Sequence, residues 1–374
     1  MSGLVLSSLA MSIVVAIMAL CVVIILHEAG HYFAAVWTGM KVDRFSVFGI
    51  GPPVVKLGTW RGTEFVLSAI PFGAYVLIRG MEPEDEEQAE ARRAGEADGS
   101  AQAAKKSSVN FRDKPLWARM LVLLGGPAAN YLSAMAILMA VFVFAGVRGP
   151  REHLDVADFG PTSSAQAAGM ELGDELSTIG GVAVEPAKGV LGVNALTGPA
   201  RGKTVEVVVL RDGAPQTLQL DIPDEGPAMG VGFGAVPRHT VPLGEAVSKA
   251  VSEPVKVTTN QLTMLGAAIS GLFKGGDTPE FGGPVAIVDH IADRARIGLI
   301  PFLVTTAFIS TLLGMFNLLP MPALDGGRLA FLGYEAVTRR RASARIEEYV
   351  HGYGMLALLG LIALITVGDV RRLF

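Results

Sequence analysis

Four stretches of this chain stay almost free of charge for long enough to cross a bilayer, which takes about 20 apolar residues. They run from Leu4 to Met40, Met120 to Val147, Ile297 to Leu319 and Gly352 to Gly368, and each predicts a transmembrane helix. Val255 to Phe273 is also apolar but holds Lys256, Thr258, Thr259, Asn260, Gln261 and Thr263, which predicts an amphipathic segment at the interface. After the first span, residues 42–79 alternate β-prone runs with Gly and Pro turns: Phe45 to Phe48, Pro53 to Leu57, Glu64 to Leu67 and Tyr75 to Ile78. This pattern predicts β-hairpins lying against the membrane. Residues 81–109 begin with Glu82, Glu84, Asp85, Glu86 and Glu87 and continue in Ala, Gly and Ser, the composition of a disordered insert. Residues 150–225 read as one small α/β module. Ser163 to Gly169 suits a short helix, Leu176 to Val184 turns at Gly180-Gly181, Val205 to Leu220 turns at Asp212-Gly213, and Gly189 to Leu196 suits a second helix.

Composition agrees with the pattern. The 374 residues are 51% hydrophobic and 18% charged, whereas soluble domains carry about 25% charged residues. The net charge of −4 gives no case for nucleic-acid binding. Cys21 is the single cysteine, so an intrachain disulfide is excluded. The first apolar run is longer than a signal-peptide core and has no basic residues before it, so it is expected to be retained. Arg328, Arg339, Arg340, Arg341 and Arg345 lie between the third and fourth runs, which places that segment in the cytoplasm. Counting back, residues 41–118 are expected inside and 148–296 outside.

The chemistry sits in the first run. From Met1 to Met40 the ionisable side chains, apart from Cys21 and Tyr32, are His27, Glu28 and His31, in the pattern His-Glu-x-x-His. On a helix, positions i and i+4 share a face, so the two histidines can hold one metal ion while Glu28 takes a proton from water. Ionisable groups inside an apolar span are costly and mark function. At 1.5 Å per residue, His31 lies roughly 15 Å before Lys41.

Catalytic zinc takes three protein ligands and keeps one position open. The strongest candidate for the third is Asp325, in Asn317-Leu318-Leu319-Pro320-Met321-Pro322-Ala323-Leu324-Asp325-Gly326-Gly327, where the third run ends on the same side as the first. His351, at the start of the fourth run, is the alternative. Asn130 and Asn317 are amides inside apolar runs, suited either to bonds between helices or to holding substrate backbone.

Together, His27-Glu28-x-x-His31, the Gly-Gly-Pro-x-x-Asn that ends at Asn130 and the Asn-x-x-Pro-x-Pro-x-Leu-Asp-Gly from Asn317 to Gly326 resemble the site-2 protease family. The arrangement is most similar to the bacterial regulator-of-sigma-E protease branch, over nearly the whole chain. The resemblance implies an α-helical polytopic membrane protein with about four transmembrane helices, a membrane-associated β-hairpin loop and one inserted PDZ-like α/β domain over 148–226. It implies an intramembrane Zn2+ metalloprotease of the bacterial inner membrane with ligands His27, His31 and Asp325 and general base Glu28. Its active site would lie near the cytoplasmic face and its PDZ-like domain in the periplasm. Gly73, Tyr75, Asn130 and Asn317 are the expected substrate-binding residues, and single-span membrane proteins the expected substrates. Ser164-Ala165-x-Ala167-Ala168-Gly169 carries the PDZ likeness, and Gly282-Gly283-Pro284-Val285 a motif of the region before the third span. Many members of that branch have two PDZ modules, and this chain has room for one. The competing reading is a membrane scaffold with a structural zinc and a PDZ-like partner-binding module.

Overall fold

The computed structural model describes residues 2–81, 109–149, 151–234, 236–274 and 283–373. The acidic insert read over 81–109 falls almost entirely outside them, as does Gly282. The chain divides into two compact units, Met1–Phe144 with Pro242–Phe374, and Ala145–Val241.

Among the described residues, the first unit holds four helices long and apolar enough to cross a membrane: Ala10–Trp37, Leu116–Ala145, Leu299–Leu318 and Arg345–Asp369. The first belongs to α1 (Ser2–Trp37). Val14, Met18 and Val22 recur every four residues and are exposed, whereas Ala16, Ala19 and Val23 are buried. Such a helix is apolar all round, with one side for lipid and one for protein.

After α1 come β1 (Val42–Phe48), β2 (Ile50–Trp60), β3 (Thr63–Ile70) and β4 (Tyr75–Ile78), one sheet in the order β2-β3-β1-β4. Only β2 and β3 form the expected hairpin. β1 instead runs parallel to β3 and antiparallel to β4, pairing Phe45 with Phe65 and with Val76. Burial explains the departure: Val42, Phe45 and Ser46 are buried, so β1 belongs in the interior of the sheet. β2, with Pro52 and Pro53, takes an edge, where a missing N–H breaks no ladder. Its Val54, Val55, Leu57 and Trp60 are exposed.

The sheet packs where α1 ends and α2 (Leu116–Ala145) begins, around Tyr32, Met40, Phe45, Ile78, Phe111 and Val122.

The second unit holds β5 (Val147–Arg148), β6 (Val156–Phe159), α3 (Ser164–Ala167), β7 (Glu175–Ile179), β8 (Val182–Ala183), α4 (Gly189–Thr197), β9 (Thr204–Arg211), β10 (Ala214–Asp221), β11 (Val231–Phe233) and β12 (Arg238–His239). The elements read from residues 150–225 are present. Ser163 caps α3 by accepting from the Gln166 N–H at 3.1 Å, and Asp212-Gly213, both at positive φ, turns β9 into β10. The unit runs past residue 226, because β11 pairs with β6 and β12 with β5. Leu154, Leu176, Ile179, Val207, Val209 and Leu220 fill its core.

Back in the first unit, α5 (Leu243–Lys274) contains the segment expected at the interface and is not among the four candidate spans. Next come α6 (Pro284–Ile297), α7 (Leu299–Leu318), α8 (Asp325–Thr338) and α9 (Ala344–Leu373). α6 buries Ile291 and Ala292 against Ala16 and Ala19 of α1. Its N-terminus is held by Asp369 of α9, which accepts from the N–H groups of Gly283 and Ala286 at 3.1 Å each. The segment after the third span, read as a loop over 328–350, is helical at both ends, in α8 to Thr338 and in α9 from Ala344. α8 is fixed to the start of α2 by a buried bidentate pair, Arg119 to Glu335, at 2.9 and 2.6 Å.

Candidate active site

α1 and α2 approach closely because glycine faces glycine. A Cβ on Gly30 would overlap the Gly125 carbonyl, and one on Gly126 would overlap the rings of His31 and His27. Small residues at such a crossing let helix backbones touch in lipid. The contact sets the first histidine: His31 Nδ1 donates to the Val122 carbonyl at 2.8 Å, leaving Nε2 with its lone pair toward the site. His27 is one turn earlier on the same face. Its ring stands edge-on to that of His31, centroids 4.7 Å apart, with both histidines buried.

Asp325 arrives from the third span. α7 ends at Leu318, the chain turns through Pro320 and Pro322, and Asp325 opens α8 as its first residue. Ala323 sits in the left-handed region at φ 70°, and its N–H donates to His351 Nδ1 at 3.0 Å. Gly354 of α9 leaves room for Pro322, which a Cβ there would overlap. Gly326 is pressed against Leu318 and Leu319 and Gly327 against Met321, so larger residues cannot follow the aspartate.

The result is a tight triangle. Asp325 Oδ2 lies 3.1 Å from His27 Nε2 and 3.2 Å from His31 Nε2, and the two nitrogens are 3.1 Å apart. Tetrahedral zinc with bonds near 2.0–2.1 Å sets its ligand atoms about 3.3 Å apart, so this donor set fits the ion. Among the described residues this is the one His/Cys/Asp/Glu cluster with that spacing. His351 is not part of it. It holds the loop that carries Asp325 and does not itself reach the pair.

Glu28 follows His27 on α1, and the Val76 N–H on β4 faces its carboxylate. Among the described residues β4 is an outer strand of the sheet, paired on one side with β1. Gly73 lies just before it at φ 81°, its carbonyl accepting from the Gly49 N–H at 2.7 Å. Tyr75 points across the sheet, its hydroxyl 3.4 Å from the Gly51 carbonyl. The two expected amides have these partners. Asn130 is fully buried with Nδ2 placed 3.2 Å from His27 Nδ1, and Asn317 Nδ2 donates to Leu313 of its own helix at 3.0 Å. Val76 and Gly126 are the neighbours that sequence reasoning missed as site residues. Only Gly126 had a signal, the Gly-Gly-Pro run inside a span.

Residues 15–361 match the sequence profile of Peptidase family M50. A relative from Agrobacterium fabrum named "Putative zinc metalloprotease" is 30% identical, covering 96% of this chain and 95% of its own. A protein of the same description from Clostridium perfringens is 29% identical over 96% of this chain and 98% of its own.

Proposed function

This chain belongs to peptidase family M50 and is a membrane zinc metalloprotease, and we propose that it cleaves single-span membrane proteins within or beside their transmembrane segments. The observation that carries this is the triangle of His27, His31 and Asp325 donor atoms, 3.1–3.2 Å apart and drawn from helices that bury them in an apolar unit. His31 lies six and His27 ten residues before the end of α1 at Trp37, about 9 and 15 Å along its axis. A peptide bond cut there belongs to a substrate that is itself in lipid.

In this reading His27, His31 and Asp325 hold the ion. Zinc in such a site acidifies a water molecule and polarises a scissile carbonyl. Glu28 takes the proton of the attacking water and returns it to the departing amine. A transmembrane helix hides its carbonyls in its own hydrogen bonds, so substrate must open before attack. β4 supports that step. Its outer edge runs past Glu28, so an unwound segment adding as a further strand places its backbone beside the carboxylate, with Gly73 and Tyr75 at the start of the edge. The Ala145–Val241 unit, read as PDZ-like, would act outside the membrane by excluding substrates with bulky outer domains. The arginines between the third and fourth spans support a β-sheet and metal site at the cytoplasmic face of a bacterial inner membrane.

A structural zinc in a non-proteolytic scaffold would need a closed shell, usually four protein ligands. Among the described residues the cluster supplies three, which favours the enzyme.

The test is cleavage of single-span proteins by purified protein in detergent. Wild type should cut a substrate trimmed of its outer domain and Glu28→Gln should not. Equal cleavage of a soluble unfolded protein with no transmembrane segment would contradict the intramembrane reading. Equal cleavage of trimmed and untrimmed substrate would remove the filtering role.

A further inference from the structure

The two histidines differ on their far sides. For His31 the partner of Nδ1 is a backbone carbonyl, which can only accept, so its tautomer is fixed. For His27 the partner among the described residues is the side-chain amide of Asn130. That amide can present an oxygen or a nitrogen, since a half-turn exchanges them with little change in shape. As placed, Nδ2 faces the ring at 3.2 Å while Oδ1 is buried with no partner. If Nδ2 donated to Nδ1, the ring proton would sit on Nε2, where a metal needs a lone pair. With Oδ1 turned to the ring, Nδ1–H donates to it and Nε2 is free.

The residue is held for this purpose from behind. The hydroxyls of Ser133 and Ser310 both donate to the Asn130 backbone carbonyl, at 2.9 and 3.0 Å, tying it between α2 and α7. Gly314 of α7 leaves room for Asn130, since a Cβ there would come within 3.2 Å of the Asn130 Cβ.

We propose that Asn130 is a positioning residue for the metal: its Oδ1 accepts from His27 Nδ1–H and so selects the tautomer whose Nε2 can bind zinc. The inference rests on His27 being a ligand. It replaces the expectation that this amide contacts substrate. Ligating histidines donate their second N–H to an acceptor, and losing that acceptor costs about 10–100-fold in metal affinity.

The experiment is zinc affinity of the full chain in detergent, measured by chelator competition with no substrate present. Asn130→Leu should weaken zinc about 10–100-fold, and Asn130→Ala, the smaller change, is read the same way if Asn130→Leu does not fold. Asn130→Asp keeps an acceptor and should bind close to wild type. Wild-type affinity in Asn130→Ala, or an Asn130→Asp that falls as far as Asn130→Leu, would overturn the proposal. His27→Ala separates the two layers: if it binds zinc as tightly as wild type, His27 is not a ligand and both readings fall. If it loses zinc while Asn130→Ala does not, only the role of Asn130 is lost.

Discussion

The N–H of Ala323 donates to Nδ1 of His351 at 3.0 Å, tying the start of the fourth span to the residue two positions before Asp325. Ala323 is in the left-handed region, which costs an alanine energy and persists only when the surroundings hold it. His351→Phe keeps the ring but loses the acceptor. About 1 kcal/mol from a lost hydrogen bond, plus freedom regained by the loop, should lower cleavage roughly tenfold. Gly354→Val, which meets Pro322, should lower it further. Cleavage rates at saturating zinc check both.

Gly126 is where a methyl group meets both histidine rings. Gly126→Ala should therefore abolish zinc retention while the helices still form, whereas Ala→Gly changes at lipid-facing positions should not. Zinc content after dialysis, beside the circular dichroism of the same sample, distinguishes a lost site from a lost fold.

Arg119 and Glu335 form a buried two-bond pair with side chains 7% and 17% exposed. The guanidinium holds the Glu335 carboxyl below its usual range. Removing Arg119 leaves Glu335 only the longer contact with Arg341 at 3.4 Å, so Arg119→Ala should destabilise the full chain by up to about 3 kcal/mol. The double change Arg119→Met with Glu335→Met should recover most of that. Unfolding of the detergent-solubilised protein measures it.

In the Ala145–Val241 unit, Asp174 is buried and accepts two bonds from Arg211, at 2.8 Å each, and a third from the Glu171 N–H at 2.8 Å. Arg211 keeps its carboxyl below the ordinary value. A group whose folded pKa is depressed adds stability above its unfolded pKa, about 3.9, and loses it as pH falls through the folded value. Amide protection factors in β7 and β9 of the full chain, taken relative to intrinsic exchange at each pH, should be high at neutral pH and fall below about pH 4. Asp174→Asn should already exchange faster at neutral pH.

The four spans, the His-Glu-x-x-His pair and Asp325 were legible because each is local: an uncharged run, an i, i+4 spacing, an aspartate after helix-ending prolines. The parallel pairing of β1 with β3 was not, since alternation gives a strand's faces but not its neighbour. The extension of the second unit through β11 and β12 depends on pairing with strands 70 or more residues earlier. Asn130 was visible as an amide in lipid, yet its partner His27 lies 103 residues away, and only packing of α1 on α2 brings them together. His351 stood only as the alternative to Asp325, and its part in holding the Asp325 loop was not legible, because the sequence leaves the path of that loop undefined.

Zinc content of the purified full chain tests the central claim most directly. Wild type and Glu28→Gln should each retain one zinc per chain, the latter without cleaving substrate, and His27→Ala, His31→Ala and Asp325→Ala should retain almost none. A stoichiometric zinc in Asp325→Ala would contradict the account, because the triangle on which every proposed step depends would then not be the metal site.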